Sequence, residues 1–147
     1  MTAAVRTERL VFPELRRATL VFATALAVHG GDHFRRGMHV LTDVVEIAGY
    51  SQIALSVVTI ALVLTGHRLG AAFAFGLGAA SAIGFTAAHL LPEWSVFSDS
   101  FIDPPAAHHV TWFSWFAAAF EISAGIYLAI AGLRALRGTA QVGSRPQ

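Results

Sequence analysis

Apolar stretches alternate with short polar blocks along this chain, and the length of each stretch decides what it can form. A bilayer core about 30 Å thick is crossed by roughly 20 mainly apolar residues in a helix. Ile47–Thr65 carries no charged side chain and lies between Glu46 and the pair His67-Arg68. Leu69–Leu91 is equally clean until His89, and Pro92 closes it. Trp112–Leu133 holds one carboxylate, Glu121, and ends at Arg134 and Arg137. Tryptophan at the start of that stretch suits an interfacial aromatic belt.

The first stretch is the awkward one. Only Ala18–Val28 is uninterruptedly apolar, and a helix of that length rises roughly 16 Å, short of the core. Either the helix runs on through His29-Gly30-Gly31-Asp32-His33-Phe34 and carries polar groups into the outer leaflet, or the segment is a secretory signal. Arg16 and Arg17 before a short apolar core, with Ala25-Leu26-Ala27 as an A-x-A site, fit cleavage after Ala27. The glycine pair is open to two readings as well. It marks a kinked helix lining a cavity, or a helix that stops near Gly30 and becomes loop.

The pattern predicts an all-α integral membrane protein: an antiparallel four-helix transmembrane bundle with spans at about 17–36, 47–65, 69–91 and 112–133. Residues 1–137 form one domain, and the polar 138–147 is expected to be a disordered cytoplasmic tail. Arg6, Arg9, Arg16, Arg17, Arg68, Arg134, Arg137 and Arg145 then share one side, with only Arg35 and Arg36 opposite. The positive-inside rule places both termini in the cytoplasm. The tight turn Gly66-His67-Arg68-Leu69-Gly70 makes the second and third spans antiparallel neighbours.

Composition agrees with a membrane setting. Hydrophobic residues make up 55% of the chain and charged ones 13%, against about a quarter charged in soluble domains. The absence of cysteine excludes disulfides, thiol catalysis and thiolate metal sites. Lysine is absent too, which excludes Schiff-base chemistry; with abundant Ala and Gly, this fits a GC-rich bacterial genome and a multi-pass protein of the bacterial plasma membrane. A net charge of +1 gives no reason to expect nucleic acid. The expected partner is the lipid bilayer. Ala80, Gly84 and Ala88, spaced by four in the third span, offer a face for packing within the bundle, for a homo-oligomer or for a larger membrane complex.

Polar residues sort unevenly under this topology. His29, His33, His39, His89, His108 and His109 fall towards the extracytoplasmic side, with only His67 on the cytoplasmic turn. His29 and His33 are four apart and share a helix face, with Asp32 beside them. His89 and Glu93 have the same spacing across Pro92. His29, Asp32, His33, His89 and Glu93 are therefore the candidate ligands for a divalent metal such as zinc. Two such pairs on neighbouring helices can assemble one site. The near-absence of sulfur ligands argues against copper(I).

Glu121 lies roughly 13 Å below the outer surface and His29 roughly 12 Å, with Ser56 and Ser81 in nearly the same layer. A carboxylate at that depth faces inward and needs a partner, and His29 is the expected one. Glu121, His29, Ser56, Ser81 and Arg36 thus form a candidate ligand or proton site, the arginine suited to phosphate or carboxylate. The segment Glu93–Phe101 alternates aromatic and small polar residues and suits a cap over the bundle mouth.

These features point to an outward-facing His/carboxylate cavity that binds or translocates a metal ion, proton or small ligand. One alternative is a membrane-embedded metal-dependent enzyme acting on a lipid or envelope substrate, with Glu93 or Asp99 as general base. Another is an accessory subunit whose polar groups only hold helices together.

Overall fold

A computed structural model describes the backbone of residues 3–143 and the side chains of residues 13–138. All regular structure in it is helical: α1 (Ala3–Arg36), α2 (Asp43–Leu64), α3 (Gly70–His89) and α4 (Trp112–Gly143), with single 3-10 turns at Met38–Val40 and Ala106–His108. Among the described residues, three helices are long and apolar enough to cross a membrane: α2, α3 and α4 as far as Gly138. The first helix is long but interrupted by polar residues.

Each helix ends where local chemistry stops it. Gly37 adopts a positive φ of 92° and its N–H donates to the His33 carbonyl, a left-handed cap that halts α1. The Thr42 hydroxyl accepts from the Val45 N–H and starts α2. Gly66, also at positive φ, turns the chain between α2 and α3 as the short connection required. Gly30 and Gly31 do not stop α1; the helix runs straight through them. The last helix continues to Gly143, into the segment expected to be a disordered tail; residues 144–147 lie outside the described part.

The interior is built mainly by α1 and α3 packing against α4. On α1 the buried stripe runs Leu15, Ala18, Phe22, Ala25, His29, Asp32, Arg36. Its alternating spacing of three and four is the core seam of a packed helix. On α4 the facing stripe runs Ser114, Ala117, Glu121, Ala124, Leu128, Ala131, Ala135. Both seams change character along their length. Leu15, Phe22, Leu77 and Leu128 form an apolar cluster at one end, while the other end buries histidine and charge.

Small residues let α3 and α4 touch backbone to backbone. A Cβ on Gly78 would lie 2.5 Å from the Ala129 nitrogen, and one on Gly132 would lie 2.5 Å from that of Phe75. The Ala80/Gly84 face singled out from the sequence is not this crossing: both residues are exposed, and a Cβ on Gly84 meets nothing within 4 Å. The second helix is the most lightly seated. It buries Ser56, Thr59 and Val63 and exposes Ile47, Ile53, Leu55 and Val57.

Candidate metal centre

The polar end of the α1 seam meets the last turn of α3. His29 and His33 stand one turn apart on α1, and their Nε2 atoms are 3.0 Å from each other. His89, the last residue of α3, closes the group; one ligand atom from each histidine can be chosen so that all lie within 4.8 Å of one another. Two nitrogens on one zinc at about 2.0–2.1 Å stand no more than ~4.2 Å apart, so the trio would have to contract slightly to hold an ion. His29 and His89 are fully buried and His33 is half-buried.

What surrounds the trio turns its nitrogens inward. The Nδ1 of His89 is 2.9 Å from the Asp99 carbonyl oxygen, which leaves Nε2 for a ligand. The Nδ1 of His29 faces the Glu121 carboxylate at 3.7 Å, and that of His33 faces the Asp99 carboxylate at 4.0 Å. Only His89 has its outer nitrogen hydrogen-bonded, the arrangement that fixes tautomer and raises ligand basicity at metal sites. The Nδ1 atoms of His29 and His33 are buried without a hydrogen bond among the described residues, each with a carboxylate within ion-pair reach. Glu121 is itself held by Gln52 of α2, whose Nε2 donates to Oε1 at 3.0 Å. Its Oε2 is buried with no hydrogen bond among the described residues.

Asp99 reaches the site because the segment after α3 folds back over its end. The last carbonyls of a helix lack partners within it. Here the N–H of Asp99 donates to Ala88 O, and that of Phe101 to His89 O. The Phe101 ring then stacks on His89 with centroids 4.5 Å apart. Arg36 completes the layer, donating from Nη2 to both Asp99 oxygens at 2.6 and 2.7 Å, with its guanidinium over the Phe101 ring. Burial pushes the Asp99 carboxyl above its ordinary value, while Arg36 pulls it back towards the charged form.

The residues singled out from sequence divide accordingly. His29, His33 and His89 converge, and Glu121 comes to 3.7 Å from His29 without a hydrogen bond between them. Asp32 does not join them: its carboxylate is engaged by Arg35 at 2.8–2.9 Å, and that arginine also reaches Ser114 Oγ. Glu93 is exposed, because α3 ends at His89 and Pro92 prevents the extra turn that would align the two. Arg36 is buried in the ion pair with Asp99, not open to an external anion. The Ser56 hydroxyl donates to its own helix at Gln52 O. Ser81 is buried, its hydroxyl without a partner among the described residues.

Sequence reasoning did not place Gln52 or Phe101 at the site, and it named Asp99 only as a general base of the enzyme alternative. For Gln52 a signal existed, as the one amide inside an otherwise apolar span. The pairing of Asp99 with Arg36 and His89 had no such signal, since it depends on the course of an irregular segment. The Glu93–Phe101 stretch does cap the site as expected, through its last residues; Trp94 and Phe97 remain exposed.

Beside the trio lies a cavity of about 360 Å³ between α1, α2 and α3, reached by His33 and His89. Its walls are almost wholly apolar. No family model, curated protein or solved structure matches the chain.

Proposed function

We propose that this protein is a four-helix membrane bundle, with both termini cytoplasmic, that binds a divalent transition metal at His29, His33 and His89. One observation carries the reading: three imidazoles from two helices bring ligand nitrogens within 4.8 Å of one another. Borderline-soft imidazole ligands without sulfur suit zinc above the harder divalent ions. Three protein ligands leave a coordination position for water or a bound molecule, the habit of working rather than purely structural zinc sites.

In this reading α1 is the fourth span and is not cleaved. Ala18, Phe22 and Ala25 are fully buried in the core, and cleavage after Ala27 would remove that seam. The metal sits in the outer half of the membrane, where the histidines cluster. Inward of it the interior is filled by Phe22, Leu77 and Leu128. That apolar packing favours an outward-open binding site over a path through the bundle.

Purified protein stripped by chelator and then titrated with zinc tests the proposal. Binding is expected at one ion per chain, lost in His33→Ala and His89→Ala and kept in His67→Ala, which alters the opposite turn. Zinc uptake that is absent from the parent protein, or indifferent to His33 and His89, would sink it.

A further inference from the structure

Gly30, Gly49 and Gly84, one from each of α1, α2 and α3, line the cavity beside the histidines. A glycine within a helix costs about 1 kcal/mol relative to alanine, so each calls for a reason. Gly78, Gly125 and Gly132 have one, because another helix backbone lies against them. Gly37 and Gly66 have another, their positive φ. The three cavity glycines have neither, a property shared by Gly31, Gly76 and Gly138 elsewhere on the helices: a Cβ built on any of them meets nothing within 4 Å. Their effect is to leave space.

We propose that this space is a groove for a single acyl chain of a membrane lipid, whose polar end lies against His33 and His89. The groove opens beside exposed Phe34 and Ile53, on the surface that hydrocarbon covers once these helices span a bilayer. Hydrocarbon is therefore the occupant already at its mouth, and an apolar recess of this kind does not hold water well. A volume of about 360 Å³ is at the small end of ligand pockets, which suits one chain and not a whole two-chain lipid. Trp94 and Phe97, stacked with centroids 6.4 Å apart, form the rim, and aromatics of this kind settle at headgroup depth.

Polarity along the groove sets the direction. Ile53, Gly84 and Phe85 give an apolar wall, Glu46, Tyr50 and Gln52 add polar atoms along α2, and His33 and His89 stand where the chain's polar end would lie. Two of the three proposed metal ligands thus line the groove, so a zinc held by them would lie next to it. The lipid's polar end would supply an oxygen donor there, from a carboxylate, ester or phosphate. This last element rests on the metal reading; the groove itself does not.

The test uses full-length protein in phosphatidylcholine vesicles carrying a small fraction of a phospholipid with a photoactivatable diazirine at the end of one acyl chain. Cross-linked peptides are read by mass spectrometry. Labelling is expected to concentrate on the groove walls around Ile53 and Phe85. Filling the groove from either side, by Gly84→Leu or Gly49→Leu, should lower it several-fold. Gly76→Leu, at an exposed helical glycine outside the groove, should leave it unchanged. Equal labelling of the parent and both groove variants would overturn the groove. Zinc titration of the same preparations separates the two ideas: loss of labelling with zinc retained supports the groove on an intact metal site, and absence of zinc from the parent counts against the metal reading alone.

Discussion

Glu121 is the residue at which burial and chemistry are hardest to separate. A carboxylate with no solvent exposure needs partners, and it has one hydrogen bond, from the Gln52 amide at 3.0 Å, with the His29 ring nitrogen beyond hydrogen-bond reach at 3.7 Å. If its role is only to join helices, Glu121→Gln should be nearly silent, since glutamine keeps the shape and can still meet Gln52. If it supports a metal ligand, the same change removes the carboxylate that, once ionised beside a bound metal, would make His29 a better donor. Loss of such an outer carboxylate typically weakens metal binding about 10–100-fold. We expect a drop of that order in Glu121→Gln, measured by competition against a chelator of known affinity, with the thermal unfolding midpoint little changed. Unaltered zinc affinity would remove Glu121 from the site. The buried pair Arg36–Asp99 is a different case, because its two charges answer each other at 2.6–2.7 Å. Its contribution is to fix the course of the segment that carries Phe101 and the Asp99 carbonyl onto His89.

At the scale of helices, glycine does two opposite jobs. Where α3 and α4 cross, Gly78 brings backbones together, and a methyl group there would sit 2.5 Å from the Ala129 nitrogen and 2.6 Å from the Gly125 oxygen. Neither backbone atom can swing aside as a side chain could. Gly78→Ala should therefore destabilise the protein by about 1–3 kcal/mol, the usual range for overpacking. Gly30→Ala, into open space, should be neutral or stabilising by up to about 1 kcal/mol. Thermal unfolding of the two variants in detergent checks the contrast, and similar midpoints would mean the α3–α4 contact is looser than described here. The sequence could not separate these glycines, because small residues are dense all round the third apolar stretch and spacing by four selected Ala80, Gly84 and Ala88. It was far more informative for α1. The seam Leu15, Ala18, Phe22, Ala25 continues in register to His29, Asp32 and Arg36, so the burial of polar groups was written in the helical period. The link from Asp99 to Arg36 was not, since the two are far apart in sequence and meet only through an irregular fold-back.

At the scale of the whole molecule, the spans were legible from length and hydropathy alone, whereas the place of α1 depends on what its polar end packs against. Among the described residues, α2, α3 and α4 qualify as spans by themselves. The first helix can cross only if burial of His29, Asp32 and Arg36 against α3, α4 and the fold-back segment replaces the water they give up. Membrane topology and site are then one question: a cytoplasmic N-terminus with an outer His cluster requires α1 to span. The chain contains no cysteine, so single cysteines report their side of the membrane without background. Ser98→Cys lies in the segment after α3, and His67→Cys in the turn between α2 and α3. In intact cells a membrane-impermeant maleimide should label the first, and the second only after permeabilisation. A cysteine at Thr7, ahead of the arginines that precede the α1 seam, should behave like the one at 67. If Thr7→Cys is instead labelled from outside, α1 does not cross and the four-span reading fails.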